Sequence, residues 1–178
     1  MPAQSAWLAD LLEGLQHSGP DAQAAAKYIR QNRVKLGLHR QPTGARWRLG
    51  RRIDLHPRYS EGKPQAVYPL SLVIHEVRHL QQGPLIALSV YGELEAWQAQ
   101  FQFIGNQTAR YHEVPAKHQL IVRLMSLPLG WDRSVLAAAQ SLMKVYAGKK
   151  YRIDLLPLYP LHREIAWATT RRKPSLEP

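Results

Sequence analysis

The chain contains no cysteine. That excludes disulfides and thiolate ligands, so any metal centre must be built from His, Asp and Glu. It also lacks any run of about 18 apolar residues and any basic-then-apolar N-terminal pattern, so neither a membrane-spanning helix nor a signal peptide is expected. A soluble, cytoplasmic protein without membrane association is the reading. Acidic residues are scarce: 13 Asp and Glu stand against 24 Lys and Arg, for a formal net charge of +11 over 178 residues. Such an excess can draw an acidic partner, nucleic acid above all. The basic residues are dispersed, however, through Arg30, Arg33 and Lys35, through Arg46, Arg48, Arg51 and Arg52, through Lys149, Lys150 and Arg152, and through the C-terminal end. No reader motif organises them, so only weak, non-specific nucleic-acid binding is expected. Composition is otherwise globular, with 45% hydrophobic and 21% charged residues. We expect one domain over 1–170, with a flexible basic tail over 171–178.

What the chain does have is His75-Glu76-Val77-Arg78-His79, an H-E-x-x-H run. A chance match in a chain of this composition arises on the order of 1–2% of the time. The run is embedded in apolar, helix-compatible sequence from Pro69-Leu70-Ser71-Leu72-Val73-Ile74 to Leu80-Gln81-Gln82, and stops at Gly83-Pro84. On a helix, His75 and His79 stand one above the other on one face. Two imidazoles at that spacing can reach one Zn²⁺, with Glu76 one step round the helix. Two histidines and a glutamate on a buried helix are costly unless something satisfies them, and a metal does so. Arg78 is expected to face outward.

A catalytic zinc usually takes three protein ligands and leaves one position open. The break at Gly83-Pro84 predicts a second helix starting at Pro84 and returning antiparallel to the first. His75 lies about nine residues before that break, so the matching depth is about nine residues past it. Glu93 sits there, with Glu95 close behind; the two point about 200° apart and cannot both face a metal. Glu93 is the preferred third ligand, because Ala96 and Gln100 share its face and a small neighbour lets two helices approach. Glu95 is the alternative.

With His75, Glu76, His79 and Glu93-Leu94-Glu95-Ala96 in place, the chain resembles the gluzincin class of zinc metallopeptidases. It looks most like the small single-domain members, over roughly residues 45–105. The resemblance implies a zincin-like fold and Zn²⁺ held by His75, His79 and Glu93. It further implies a zinc-activated water with Glu76 as general base, and a peptide or protein substrate. The thermolysin-type N-E-x-x-S-D signature and the metzincin H-E-x-x-H-x-x-G-x-x-H extension are both absent. No motif supplies a residue to stabilise the oxyanion; Tyr91, Tyr111, His112 and His162 are the candidates. The alternative is a catalytically weak or inactive zincin-scaffold protein that binds nucleic acid or another acidic partner through its basic surface.

Around this centre the pattern predicts a mostly helical α+β fold. Helices are expected over 5–16, 22–31, 115–127, 134–147 and 161–169. A short strand is expected over 34–38. Alternation over 45–49 and 52–55 about Gly50 reads as a hairpin, with His56 as a capping or surface residue after it and a loop over 57–64. The edge of such a sheet can pair with an extended substrate, or the sheet can simply pack under the helix. Gly105-Asn106 is expected to close the second active-site helix. The apolar, proline-rich stretch 151–160 reads as strand-like or irregular.

Overall fold

A computed structural model describes residues 2–148 and 151–171. The fold is α+β and mostly helical. Helices α1 (Pro2–His17) and α2 (Pro20–Gln31) lead into strands β1 (Lys35–Leu38), β2 (Ala45–Arg48) and β3 (Arg52–Leu55). Then follow α3 (Val67–Gln82), the single turn α4 (Pro84–Ala87), α5 (Val90–Thr108), α6 (Pro115–Met125), α7 (Arg133–Ala147) and α8 (Leu161–Arg171). The expected tail over 171–178 lies outside the described residues, apart from Arg171, which ends α8.

The hairpin is present: β2 pairs antiparallel with β3, and Trp47 lies opposite Ile53. Unanticipated is the parallel pairing of β1 with β3, giving the order β1-β3-β2. β3 is therefore the central strand and β2 an edge. Asp54 in β3 is 1% exposed, a charge that is tolerable only if paired. Arg48 Nε donates to it at 2.6 Å and Arg52 Nε at 2.7 Å. That clamp fixes the outer strand. His56 caps the turn that follows, its Nδ1 accepting from the Arg58 amide at 3.1 Å, and Pro57–Glu61 forms a 3-10 turn where a loop was expected.

α3 is buried almost all round: Pro69 through Val77 and His79 are all inside. Pro69 falls in the first turn, where a missing N–H costs little. One cluster of core side chains joins α1, α2, the sheet and α3 through residues such as Leu11, Ile29, Ile53 and Val73. A second joins α5, α6 and α7 through Leu94, Phe101, Leu124, Leu136 and Met143. α3 and α5 pack antiparallel along the seam, since Ser71 meets Gln100 while Gln82 meets Gly92.

The connection between those helices differs from the expectation. Gly83, at φ 71°, ends α3 in the left-handed region that glycine tolerates. The chain then makes one turn as α4, and the long helix starts only at Val90. Buried Ser89 restarts it: Ser89 Oγ accepts from Gly92 N at 3.0 Å and donates to Ile86 O at 2.7 Å. The helix also outlasts its expected end at Gly105-Asn106 and closes at Ala109 in the left-handed region. The stretch 151–160 contains a 3-10 turn over Ile153–Leu155 and no strand. Its carbonyls do useful work at the helix start: Pro157 O accepts from Val90 N at 2.8 Å and Leu158 O from Tyr91 N at 3.2 Å. Those are N–H groups that the helix itself leaves unpaired.

Gly92 is the tightest point of this connection. A Cβ there would stand 2.2 Å from the Ile86 carbonyl oxygen. Alanine would gain about 1 kcal/mol in helix propensity. The clash is with backbone that cannot swing aside, and overpacking of this kind costs about 1–3 kcal/mol or more. We expect Gly92→Ala to lower the melting temperature by several degrees, since 1 kcal/mol is about 2–4 °C in a chain this size. An unchanged or higher melting temperature by calorimetry would show that α4 yields instead.

Candidate metal centre

His75 and His79 come from successive turns of α3, and their rings meet edge-on with Nε2 atoms 3.0 Å apart. Glu93 arrives from the first turn of α5, where the positive end of the helix dipole favours a carboxylate. Its Oε2 lies 3.6 Å from His75 Nε2 and its Oε1 lies 3.5 Å from His79 Nε2. One ligating atom from each of the three residues lies within 4.8 Å of the others. Tetrahedral ligands about 2.0–2.1 Å from a zinc stand about 3.3 Å from one another. The two Nε2 atoms stand 3.0 Å apart and each faces its own Glu93 oxygen at 3.5 or 3.6 Å, near that spacing, with an N,N,O set suited to a divalent first-row metal.

The protonation states agree. His75 is 7% exposed, and burial, then the neighbouring His79, holds its pKa well below the usual imidazole value. It is therefore neutral, with lone pairs available, and its contact with Glu93 is not an ion pair. Its buried Nδ1 has no well-formed hydrogen bond, although the Gln100 side chain and Ala96 backbone both act on the ring. His79 is fixed from behind: its Nδ1 lies 3.1 Å from Gln82 Oε1. Donation to that amide oxygen leaves the Nε2 lone pair directed at the centre, the usual second contact of a metal-ligating His. Gln82 is held in turn, its Nε2 donating to Gly92 O at 3.0 Å and Glu95 Oε2 at 2.7 Å.

Glu76 is 6% exposed and accepts from the Trp47 backbone N–H at 2.6 Å. That amide belongs to the free edge of β2. Burial and then the Glu93 carboxylate push the Glu76 pKa up to about 8, against the opposing pull of the Trp47 N–H and the Arg46 charge. Two carboxylates thus crowd two imidazoles, and among the described residues neither carboxylate has a Lys or Arg within ion-pair distance. A dication would relieve that crowding, so the chemistry of the donor set fits a metal.

The other sequence candidates fall elsewhere. Glu95, the alternative third ligand, turns away from the cluster to pair with Arg78 and Gln82; Arg78 faces outward as expected. Tyr91 stacks on Trp131, at 4.3 Å between ring centroids, and does not line the central cavity. Tyr111 stacks on His118 and is likewise outside the cavity. His162, exposed near the start of α8, is also outside it. Only His112 of the four oxyanion candidates borders the cavity, edge-on to Tyr146.

A hydroxyl in direct contact with the centre belongs to Tyr151, which sequence reasoning did not single out. Tyr151 donates to Glu93 Oε2 and accepts from Trp97 Nε1 at 3.1 Å. Burial and the Glu93 charge hold it well above the usual phenol pKa, so it keeps its proton. Gln82, three residues after His79 on the same helical face, was findable by spacing. Tyr151, 58 residues from Glu93 in an irregular stretch, left no local signal.

The centre forms the floor of an open cavity of about 800 Å³. No family model, curated protein or solved structure matches the chain.

Proposed function

We propose that the chain is a zinc-dependent hydrolase, and most directly a metallopeptidase with a zincin-like core. The observation that carries this reading is the convergence of His75, His79 and Glu93 beside an independently held Glu76, at the floor of a cavity large enough for a peptide. A cavity near 800 Å³ falls within the range of ligand-binding clefts. His75, His79 and Glu93 would hold the metal. Bound there, Zn²⁺ supplies a Lewis acid that acidifies water and polarises a carbonyl.

The rest of the work belongs to the chain. Glu76, buried and fixed by the Trp47 amide, takes a proton from water and returns it to the departing amine nitrogen. Its raised affinity for protons suits both halves of that transfer. Tyr151 keeps its phenolic proton and gives it to Glu93 Oε2 in a hydrogen bond while accepting from Trp97 Nε1, so it fixes the orientation of that carboxylate. Trp47, Trp97 and Phe101 give the cavity wall an apolar surface beside the reacting groups.

The test is incubation of the zinc-loaded protein with a mixed peptide library, with products read by mass spectrometry. Cleavage that stops on chelation and returns with zinc is expected. No cleavage of any peptide by protein that demonstrably holds one zinc would remove the peptidase reading.

A further inference from the structure

The charges that border the cavity are unequal. Among the described acidic residues only Glu76 and Glu93 line it, and both belong to its floor. Among the described Lys and Arg residues, those lining it are Arg46 and Arg48 from β2 and Lys117 from α6. Arg48 is committed to Asp54. Arg46 and Lys117 are exposed, and among the described residues neither has a carboxylate within ion-pair distance. Arg46 directly precedes Trp47, whose backbone N–H bonds Glu76, so it stands at the reacting end of the cavity. Lys117 Nζ sits 5.1 Å from the centre of the Tyr146 ring, which also lines the cavity. That contact holds an ammonium at the wall without neutralising it.

We infer that Arg46 and Lys117 select acidic peptides, taking carboxylate side chains that flank the amide held over Glu76. This rests on the hydrolase reading for what happens to the peptide, but the selection itself is a binding property. The two cations come from separate elements and make two points of positive charge, not a stripe. A nucleic-acid strand carries a charge at every residue and would press phosphates against Glu76 and Glu93. A peptide can carry carboxylates at the two cationic points and a neutral amide over the floor. Sequence supplies the same preference in coarse form, since the net charge is +11 and repels basic chains from a distance.

The test uses three fluorophore-labelled peptides of one length and sequence, differing only in having Glu, Gln or Lys on both flanks of the central amide. Affinities are measured by anisotropy on zinc-loaded Glu76→Gln protein, so that turnover does not interfere. An exposed charge pair is worth up to about fivefold in affinity. The Glu peptide should therefore bind about tenfold tighter than the Gln peptide, and the Lys peptide should bind weakest. The spread should shrink in about 1 M salt, where the screening length falls to roughly 3 Å. In the Arg46→Gln, Lys117→Gln double variant the Glu-to-Lys ratio should collapse to within about twofold. Arg46→Lys with Lys117→Arg should restore the order, which separates charge from misfolding.

Equal affinities for the three peptides, or an order that survives the double variant, would overturn the inference. So would displacement of the Glu peptide by an equally charged oligothymidylate at lower concentration. Cleavage by the parent protein keeps the two claims apart. Charge-ordered binding without cleavage would defeat the hydrolase reading and leave the selection intact; equal cleavage of all three would do the reverse.

Discussion

Glu76→Gln is expected to hold its metal and lose hydrolysis by about a thousandfold, within the 10²–10⁴ that a positioned acid–base group contributes. Glutamine keeps the length and one acceptor oxygen, so the Trp47 N–H that bonds Glu76 at 2.6 Å keeps a partner. What is lost is the site that can take and return a proton. The buried surroundings should favour the change in stability, because an amide carries no charge to desolvate. Glu76→Gln should thus melt no lower than the parent, and its zinc content should be equal. Retained hydrolysis within tenfold of the parent would take Glu76 out of the reaction. Loss of metal together with activity would make it a ligand or a structural support instead.

The second large effect separates the two carboxylates of α5. Glu93→Ala should weaken zinc binding by more than about 100-fold, because residues that merely orient ligands already cost 10–100-fold. Glu95→Ala should do far less. Glu95 faces Arg78 and Gln82, so its loss can loosen the Gln82 side chain that orients His79 but removes no ligand. The order of the two variants in a competition titration with a chromophoric chelator decides it. Equal losses would mean that Glu93 and Glu95 support the centre jointly, and a larger loss for Glu95→Ala would exchange their roles.

The sequence carried the grouping of His75, His79 and Glu93 better than it carried the reason for it. Helical spacing alone brings His75 and His79 together, and counting from the Gly83 break arrives at Glu93. The count assumed one helix from Pro84. Instead α4 closes after one turn and Ser89 starts α5 afresh, so Glu93 lies in a first turn. Ser89 ahead of an apolar run is itself a start signal, masked by the stronger Pro84. The hairpin was legible from its alternation, whereas the parallel β1–β3 pairing joins strands with the whole of β2 between them in sequence and has no local signature.

Long-range contacts account for the rest. The Trp47 amide that holds Glu76 is a backbone group, and no side-chain pattern could mark it. Tyr151 reaches Glu93 from a segment read as strand-like or irregular; it is irregular, and two of its carbonyls accept from the first turn of α5. The Arg-Ile-Asp-Leu shared by residues 52–55 and 152–155 makes the same point. In the first it is a central strand and in the second it includes a 3-10 turn, because only the first has neighbouring strands to pair with.

The central claim is that His75, His79 and Glu93 together form a zinc site. Its most direct test is the metal content of the parent chain, measured by inductively coupled plasma mass spectrometry after equilibration with micromolar zinc and removal of the excess. The account predicts about one equivalent of zinc per chain, the stoichiometry of a single three-ligand centre. A value below about a tenth of an equivalent would contradict it, since ligands already gathered to this spacing should hold the ion through buffer exchange.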